Sequence, residues 1–488
     1  MKQKLLLAAD ILLAVGIIGL IPLNLWVCRF PEWVILITAL VLVAINVVYF
    51  VKFKTKLAAK IILPIFSALA ICLSLLGSYC NPYWNSMMCR YCDDTQAYDT
   101  VITYAQAKAD VDYVMHYLNK CHPLFMSGTP DEVQQSYDAA IARLQSADEI
   151  TVNTLRREVQ QILSVLGDGH TTSWANRYER YLKTISKRKA ENWQLVKING
   201  RTLERIFEDN KSLFCYEVES WGMERFYAEV STLSGLDFLG FDTDNITYTW
   251  QNDEGEQETD RYTASDFITY NEYLEYNKAY LDDEDEDFVS YRIDEEKSLA
   301  LLTLTSCNYN EQYINCLKDM FTEVKAKGIR NVAVDIRGNG GGNSLVANEF
   351  IRYLDIDEYL EDTCKWRFGV FNVSLGDGIV INEKYTDLTF EGNVFLLTDT
   401  SSFSSSMMFA QYIKDNRLGS IIGEPPGNTP NGYGDISTFS MPNSGLCFQV
   451  STKQFFRADK DSKDILVMPD IECDGEKALD VLYETLDK

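Results

Sequence analysis

The chain has 488 residues and a formal net charge of −26 at pH 7, from 45 basic and 71 acidic side chains. The charge is uneven, because the stretch up to Cys80 carries seven basic and two acidic residues, whereas the remainder carries 38 basic and 69 acidic ones. A surface so acidic repels phosphate backbones and anionic lipid, so we expect no nucleic-acid partner.

Residues 1–80 are dominated by three apolar runs at 5–27, 33–51 and 61–77. The first two are long enough to cross about 30 Å of hydrocarbon, and the first is too long for a cleaved signal peptide. Lysines precede the first run and separate the second from the third. The positive-inside rule then predicts a cytoplasmic N-terminus, three transmembrane helices and an extracytoplasmic remainder. The alternative is a buried helical hairpin in a soluble protein.

Cysteine and histidine usage bears on disulfides and metals. Ten cysteines lie from Cys80 onward, and an even number outside the cell permits disulfides. Only Cys89 and Cys92 form a CxxC pair, and the chain has three histidines, too few to complete a structural zinc site. The acidic run at 282–287 is typical of a solvated loop. We therefore expect neither a metal nor a cofactor.

Helical and mixed patterns follow the anchor. Apolar residues recur at helical spacing between 104 and 166, which predicts three helices in a subdomain at 81–180 that ends in an Asp-Gly-His motif. Residues 181–290 are predicted to form a small α+β insert. Its strands lie at 193–198, closed by an Asn-Gly turn, and at 246–250.

Residues 291–488 alternate between strand and helix patterns, which predicts an α/β core with a mostly parallel sheet covered on both faces. The predicted helices lie at 311–327, 344–354 and 404–414. The predicted strands lie at 299–304, 332–336, 394–397, 420–422, 436–441 and 446–452.

Three segments could carry chemistry. The glycine cluster at 338–342 follows a strand and would present backbone N–H groups to a phosphate or an oxyanion, although a plain tight turn has the same composition. The serine run at 401–406 leads into a helix, where serine also serves as a cap. His170 could act as a base or only as a helix-end contact. The other two histidines are less suitable, because His116 lies within a helix and His122 precedes a proline.

Taken in order, these segments resemble the tail-specific (C-terminal processing) and tricorn-core serine peptidases over roughly residues 105–485. The matching elements are the Asp-Gly-His-Thr stretch 168–171, Ile-Asn-Gly at 198–200, the Asp-Ile-Arg-Gly-Asn-Gly-Gly-Gly loop 335–342, the serine helix start 404–407, Gly-Glu-Pro at 423–425 and Pro-Asp-Ile at 469–471. The resemblance implies a crotonase/ClpP-like core with a helical N-terminal subdomain and a small inserted subdomain.

The resemblance also implies site residues. Ser404 would be the nucleophile, and the backbone N–H groups of Ser405 and Gly341 would bind the oxyanion, with Gly340 as a neighbouring candidate. Where part of the family has a lysine base, this chain has Thr429. The tricorn-like histidine branch therefore fits, with His170 as the base.

Two positions depart from the family pattern. Met407 stands where the family usually has a glutamate, and Gly169 replaces the serine before the histidine in tricorn. The acid that orients the histidine is left open, with Asp168, Glu424, Asp459 and Asp461 as candidates. No glycine-hydrophobic carboxylate loop of a PDZ domain is recognisable, so recognition of free C-termini is not predicted.

The sequence thus predicts a membrane-anchored, extracytoplasmic serine peptidase that acts on polypeptides without a cofactor. Because of the two departures, the main alternative is a catalytically silent, membrane-tethered peptide-binding or sensor protein of the same fold. A hydrolase for non-peptide substrates is a third hypothesis. The oligomeric state and the natural substrate stay open.

Overall fold

The structure is a computed structural model that describes residues 32–52, 95–175, 179–280 and 287–487, together with scattered positions between 8 and 86. Helix α1 spans Glu32–Lys52, where the second apolar run was predicted to be helical. Most of the first and third runs lie outside the described residues. In the described part, no helix combines the length and apolarity required to cross a bilayer. The structure therefore does not support the three predicted transmembrane helices.

The helical subdomain contains the three predicted helices. They are α2 (Tyr104–Cys121), α3 (Asp131–Ser146) and α4 (Val152–Ser164), with a 3₁₀ turn at Pro123–Ser127. Threonine caps start two of them, since Thr103 and Thr151 accept backbone N–H groups of the first turn. Their apolar faces form a core with Phe439 and Phe448 of the second sheet described below. The helices are thus fixed to the strands that follow the serine helix in sequence.

The insert has a hydrophobic core of its own, formed by buried residues between Leu182 and Phe267. Its four-stranded sheet runs in the order β4-β3-β5-β6. Asn199 and Gly200 both have positive φ, as the tight turn after β3 requires. Its helices are α5 (Ile185–Ala190), α6 (Leu203–Asn210), α7 (Glu219–Val230), α8 (Leu233–Phe238) and α9 (Tyr270–Asn277). Its strands are β2 (Arg180–Leu182), β3 (Trp193–Ile198), β4 (Arg201–Thr202), β5 (Ile246–Asn252), β6 (Gln257–Tyr262) and β7 (Phe267–Thr269).

The core contains a six-stranded sheet in the order β19-β16-β15-β10-β9-β8. All its pairs are parallel except the antiparallel pair of β8 and β9. The central strands are apolar on both faces, as parallel strands covered on both sides require. The strands are β8 (Val289–Asp294), β9 (Leu299–Leu304), β10 (Asn331–Asp335), β15 (Asn393–Thr398), β16 (Ser420–Gly423) and β19 (Ile471–Glu472).

Helices cover both faces of this sheet. On one face α10 (Glu311–Lys327), α11 (Leu345–Ile351) and α12 (Ser405–Asp415) pack into the largest apolar cluster. On the other face α13 (Ala478–Leu486) packs into a smaller cluster with Leu301, Phe395 and Ile422. This is the α/β arrangement that the alternation of patterns predicted.

A second, antiparallel sheet follows the path β1-β18-β12-β13, with β17 paired to β18. The strands between residues 358 and 381 were not predicted, because they are short and largely exposed rather than regularly alternating. This part of the chain contains β1 (Ser173–Trp174), β11 (Glu358–Leu360), β12 (Thr363–Phe368), β13 (Phe371–Leu375), β14 (Ile379–Ile381), β17 (Tyr433–Ser440) and β18 (Cys447–Phe456).

Seven cysteines of the described residues are free thiols and make no disulfide. They are Cys72, Cys121, Cys215, Cys307, Cys316, Cys364 and Cys473. Cys80, Cys89 and Cys92 lie outside the described residues.

Candidate active site

The loops that follow β10 and β15 meet at the carboxyl edge of the parallel sheet. These strands are direct neighbours, with Asp335 paired to Leu397, so the glycine loop and the serine loop leave the sheet side by side. The carboxyl edge of an open α/β sheet is where ligands generally bind. The Phe403 amide donates to the Asn339 carbonyl at 3.0 Å and holds the two loops together.

Ser404 adopts a conformation that is rare for a residue with a side chain. It has φ 59° and ψ −122° and stands immediately before α12. Its amide donates to Asn428 Oδ1 at 2.7 Å, which fixes the turn from outside the helix. Non-glycine residues are held in such conformations only when their surroundings enforce them, and these positions cluster at functional sites. The turn places the Ser404 hydroxyl at the N-terminus of α12, where the helix dipole is positive.

Gly341 lies directly against the serine turn. A Cβ added at this position would be 2.7 Å from the Phe403 carbonyl oxygen and 2.7 Å from Ser404 Cβ, and the residue has φ +100°. Only glycine fits such an approach of two backbones. At Gly340, by contrast, an added Cβ would meet nothing within 4 Å.

The amides near Ser404 differ in whether they are free to bind an oxyanion. The Gly341 amide, one of the two main predicted donors, already donates to Asn339 Oδ1 at 2.9 Å. The Asn339 side chain is held in turn by the Leu304 carbonyl, so its oxygen stays against that amide. The Ser405 amide starts α12 and has no carbonyl one turn earlier to accept it. Ser405 and Gly340 are therefore the predicted donors that this geometry leaves available.

His170 follows α4, the last helix of the helical subdomain, and is only 8% exposed. Neither ring nitrogen has a hydrogen-bond partner in the described part of the chain. The ring instead lies 4.5 Å, centroid to centroid, from Phe403, the residue that precedes Ser404. Burial lowers the pKa of His170, and the nearby Asp168 and Asp435 carboxylates oppose this only partly. The imidazole is therefore neutral at pH 7 and able to accept a proton.

Asp168 is fully buried and anchors the turn that carries His170. Its Oδ1 accepts the His170 backbone amide at 2.8 Å, and its Oδ2 is 3.1 Å from His122 Nε2 and accepts the Thr171 hydroxyl. Burial would raise the pKa of Asp168, but the hydrogen bonds from His122 and Thr171 hold it well below its usual range. The carboxylate is 3.9 Å from His170 Nδ1, beyond hydrogen-bond distance. Asp168 thus positions the loop, and both of its carboxylate oxygens already accept hydrogen bonds.

His122 supports this anchor. Its Nδ1 accepts the Leu124 amide at 3.2 Å, so Nε2 carries the proton that is donated to Asp168. The side chain is fully buried. His122 is therefore a structural partner of Asp168 and not an alternative base.

The other three predicted acids do not reach His170. Glu424 lies beside Gly475 and Asp399 on the far side of the serine loop. Asp459 lines a separate cavity near Arg457, and the Asp461 amide donates to Asp459 at 2.9 Å. Of the four candidates, only Asp168 is near the imidazole, because the other three follow β16 and β18 and leave the sheets elsewhere.

Glu217 of the insert is an acid that the sequence did not single out. Donor atoms of Asp168, His170 and Glu217 lie within 4.8 Å of one another. Glu217 Oε2 accepts the Thr429 amide at 2.8 Å and also the Thr429 hydroxyl, while Oε1 is buried and has no partner in the described chain. Burial and the charge of Asp168 raise the pKa of Glu217 to about 7. Glu217 is thus a buried carboxyl group close to the imidazole.

The same three side chains are of the types that bind metal ions. Both Asp168 oxygens already accept hydrogen bonds, and Glu217 Oε2 accepts two more. The geometry therefore favours a hydrogen-bonded network over a metal centre.

The insert also packs against the serine loop. Trp221 of α7 stacks on Phe403 with ring centroids 4.1 Å apart and an interplanar angle of 13°. Phe403 thus contacts both Trp221 and His170. These contacts fix the residue before Ser404 and link the insert to the serine loop and to the turn that carries His170.

Ser404 and His170 line the same cavities. One, of about 310 Å³, extends along α12, and another, of about 610 Å³, extends toward Trp221 and Gly340. No hydrogen bond joins the two side chains within the described structure, since both ring nitrogens lack partners. Catalytic contacts often tighten only when substrate binds, so this geometry is compatible with a serine–histidine pair.

One family of known proteins matches part of the chain. Residues 298–473, which include the glycine loop and Ser404, match the model of peptidase family S41. This part of the chain is an S41 peptidase domain. The protein is therefore a serine-type peptidase. None of the curated proteins compared with it matches its sequence.

Solved structures match the S41 chain at low identity. Mature CPAF complexed with lactacystin is 11% identical with a TM-score of 0.55, over 79% of this chain and 97% of that one. Mature CPAF alone is 10% identical with a TM-score of 0.54, over 79% and 96%. The photosystem II D1 C-terminal processing protease is 13% identical with a TM-score of 0.43, over 78% and 97%. The likeness to CPAF concerns the fold alone.

Glu217 and Trp221 are residues of the candidate site that sequence reasoning missed. They lie in the insert, outside the residues that match the family model. No signal in the sequence around them distinguishes Glu217 from the acidic residues of an ordinary surface. Only the packing of the insert on the serine loop brings them to the site.

Proposed function

We propose that this S41 peptidase hydrolyses peptide bonds with Ser404 as nucleophile and His170 as general base. The observation that carries the proposal is that Ser404, held at positive φ before α12, shares its cavities with a buried imidazole whose ring nitrogens are unpartnered. A serine hydroxyl needs such a base, because it is a weak nucleophile at neutral pH.

In this mechanism Ser404 Oγ attacks the carbonyl carbon of the scissile peptide and transfers its proton to His170. The negative charge that develops on the carbonyl oxygen is stabilised by the Ser405 amide, with Gly340 as the second donor. The His170 imidazolium then protonates the leaving amine. Water subsequently attacks the acyl-enzyme, with His170 again taking a proton, and releases the acid and Ser404.

We further propose Glu217 as the acid that orients His170. Its unpartnered Oε1 can accept the Nδ1–H group, which leaves Nε2 as the atom that takes the serine proton. Asp168 supports the same arrangement through the backbone. The insert would then complete the catalytic site instead of only covering it.

A serine-reactive fluorophosphonate probe tests the nucleophile. We expect labelling of the wild-type chain and its loss in Ser404→Ala, with the modified residue located by mass spectrometry. Ser406→Ala is the matched control, since Ser406 lies in the same turn but is fully buried. Absence of labelling in the wild type, or equal labelling of Ser404→Ala, would favour the catalytically silent peptide-binding protein.

The membrane anchor and extracytoplasmic location are a separate proposal. They are supported by the apolar runs at 5–27, 33–51 and 61–77 and by the lysines between them. The polypeptide substrate would then be met outside the cytoplasm.

A further inference from the structure

A pocket extends from Ser404 along one face of α12. Met407, Met408 and Gln411 line it at helical spacings of three, four and seven residues from the serine. At a rise of about 1.5 Å per residue, Gln411 lies roughly 10 Å along the helix from Ser404. The two methionines give the pocket flexible apolar walls. Its length and its walls suit a long side chain with an apolar stem.

Asp362 gives this pocket a buried carboxylate. The residue is 9% exposed and precedes β12, and its Oδ1 accepts the hydroxyl of Tyr412, which follows Gln411 on α12. In the described part of the chain, no lysine, arginine or histidine forms an ion pair with it. Burial raises the pKa of Asp362 to about 6, so the group is still mostly ionised at pH 7.5. A buried charge whose donors are the Tyr412 hydroxyl and its own backbone amide is costly unless a cation joins it.

The other charges around the pocket neutralise Asp362 only in part. Lys453 also lines the pocket and its charge lowers the pKa of Asp362, but its Nζ is 2.6 Å from Asp435 and forms its ion pair there. The neighbouring Glu361 adds further negative charge, since it contributes to the raised pKa of Asp362. The pocket as a whole is therefore negative.

Gln411 supplies a second unsatisfied polar group. Its side chain is 1% exposed, it lines the pocket, and its Nε2 has no partner in the described structure. A side-chain amide can present either its nitrogen or, turned by half a rotation, its oxygen to a ligand. An oxygen turned inward would accept an N–H group of a cation held by Asp362.

We propose that this pocket binds the basic side chain of a substrate lysine or arginine, at the residue whose carbonyl Ser404 attacks. Asp362 would pair with the cation, and Met407 and Met408 would contact the alkyl stem. The net charge of −26 would attract cationic peptides toward the site. This inference rests on the proposed function only in taking Ser404 as the nucleophile.

The first experiment compares peptidyl phosphonate probes that differ only in the side chain entering the pocket. We expect Ser404 of the wild type to react faster with an arginine-like probe than with a leucine or glutamate probe, by about thirtyfold. Asp362→Asn should remove this preference, so that the arginine-like and leucine probes react at similar rates. Asp459→Asn, which changes an acid of a separate cavity, should keep the preference. A wild-type preference for leucine or glutamate overturns the inference.

The second experiment measures binding without catalysis. The fluorescence of p-aminobenzamidine, an aromatic cation, should rise saturably with the Ser404→Ala chain and fail to rise with Ser404→Ala/Asp362→Asn. Matching thermal melting curves of the two variants would show that both are folded. Absence of binding to folded Ser404→Ala overturns the pocket inference. If no phosphonate labels the wild type but the cation still binds at Asp362, the proposed function fails and the pocket inference stands.

Discussion

At the scale of single residues, the site depends on three carboxyl groups with different surroundings. Among the described residues, Asp168 accepts hydrogen bonds on both oxygens, Glu217 retains one unpartnered oxygen, and Asp362 forms no ion pair. The same chemical group therefore anchors a loop, lies near the imidazole and lines a pocket. Its environment, rather than its identity, decides which of these roles it has.

Glu217→Gln should reduce kcat/KM by at most about a hundredfold. The amide oxygen still accepts the Nδ1–H group, but it does not stabilise the imidazolium charge. The wild-type pH profile should rise twice. One rise occurs as His170 loses its proton below pH 6.5, and a second near pH 7 as Glu217 ionises. Glu217→Gln should lose only the second rise, and Glu424→Gln, an acid away from His170, should keep both. A variant profile that retains the rise near pH 7 would contradict the assignment.

Glu217→Gln should also stabilise the fold at alkaline pH. The folded pKa of Glu217 is raised to about 7, so the folded state binds a proton more tightly than the unfolded state. The free energy of unfolding should therefore fall as pH rises from about 4.3 to 7, by up to about 3 kcal/mol. Glu217→Gln has no such group, so urea titrations at pH 5 and pH 8 should show a smaller pH dependence. Equal pH dependence in both proteins would show that Glu217 is not buried as described.

Asp168→Ala should cost about 3 kcal/mol of unfolding free energy, since it leaves the buried His122 and Thr171 donors unsatisfied. Because the folded pKa of Asp168 is depressed, its stabilisation is present above the unfolded value near 3.9 and is lost as the pH falls further. Chemical denaturation at pH 7 and at pH 3 measures both effects. An unchanged midpoint at pH 7 would exclude the anchoring role.

At the scale of elements, two strand-to-helix loops define the site, and their residue types made them recognisable. Glycines at 338–342 and serines at 401–406 follow apolar strands, so the sequence located both loops. It could not show that the Asn339 side chain occupies the Gly341 amide, because that contact depends on the Leu304 carbonyl of another strand. The loops were predictable, but the hydrogen bonds between them were not.

Gly341→Ala should abolish activity, because its Cβ would collide with Ser404 Cβ and the Phe403 carbonyl. Gly340→Ala is the matched control in the same loop. It keeps its backbone N–H and meets no neighbour within 4 Å, so it should lose much less activity than Gly341→Ala. Fluorophosphonate labelling and peptide hydrolysis measure both variants. Full activity of Gly341→Ala would refute the close approach of the two loops.

At the scale of the whole molecule, the prediction still to be tested is the membrane anchor. The full chain should remain in the membrane pellet after alkaline carbonate extraction, and a chain that starts at residue 95 should be recovered in the supernatant. An external protease should reach the part after residue 95 in intact cells and not the N-terminus. Release of the full chain by carbonate would contradict the anchor.

The sequence by itself determined the order of the elements, the parallel character of the core sheet and the two loops at its edge. These follow from local apolar spacing and from glycine and serine positions, which act over a few residues. Only the tertiary structure brings Glu217 close to His170, because Glu217 belongs to an insert with a separate core that packs on the serine loop. The negative pocket likewise combines Asp362, which precedes β12, with the face of α12, so it exists only once these distant segments are packed together.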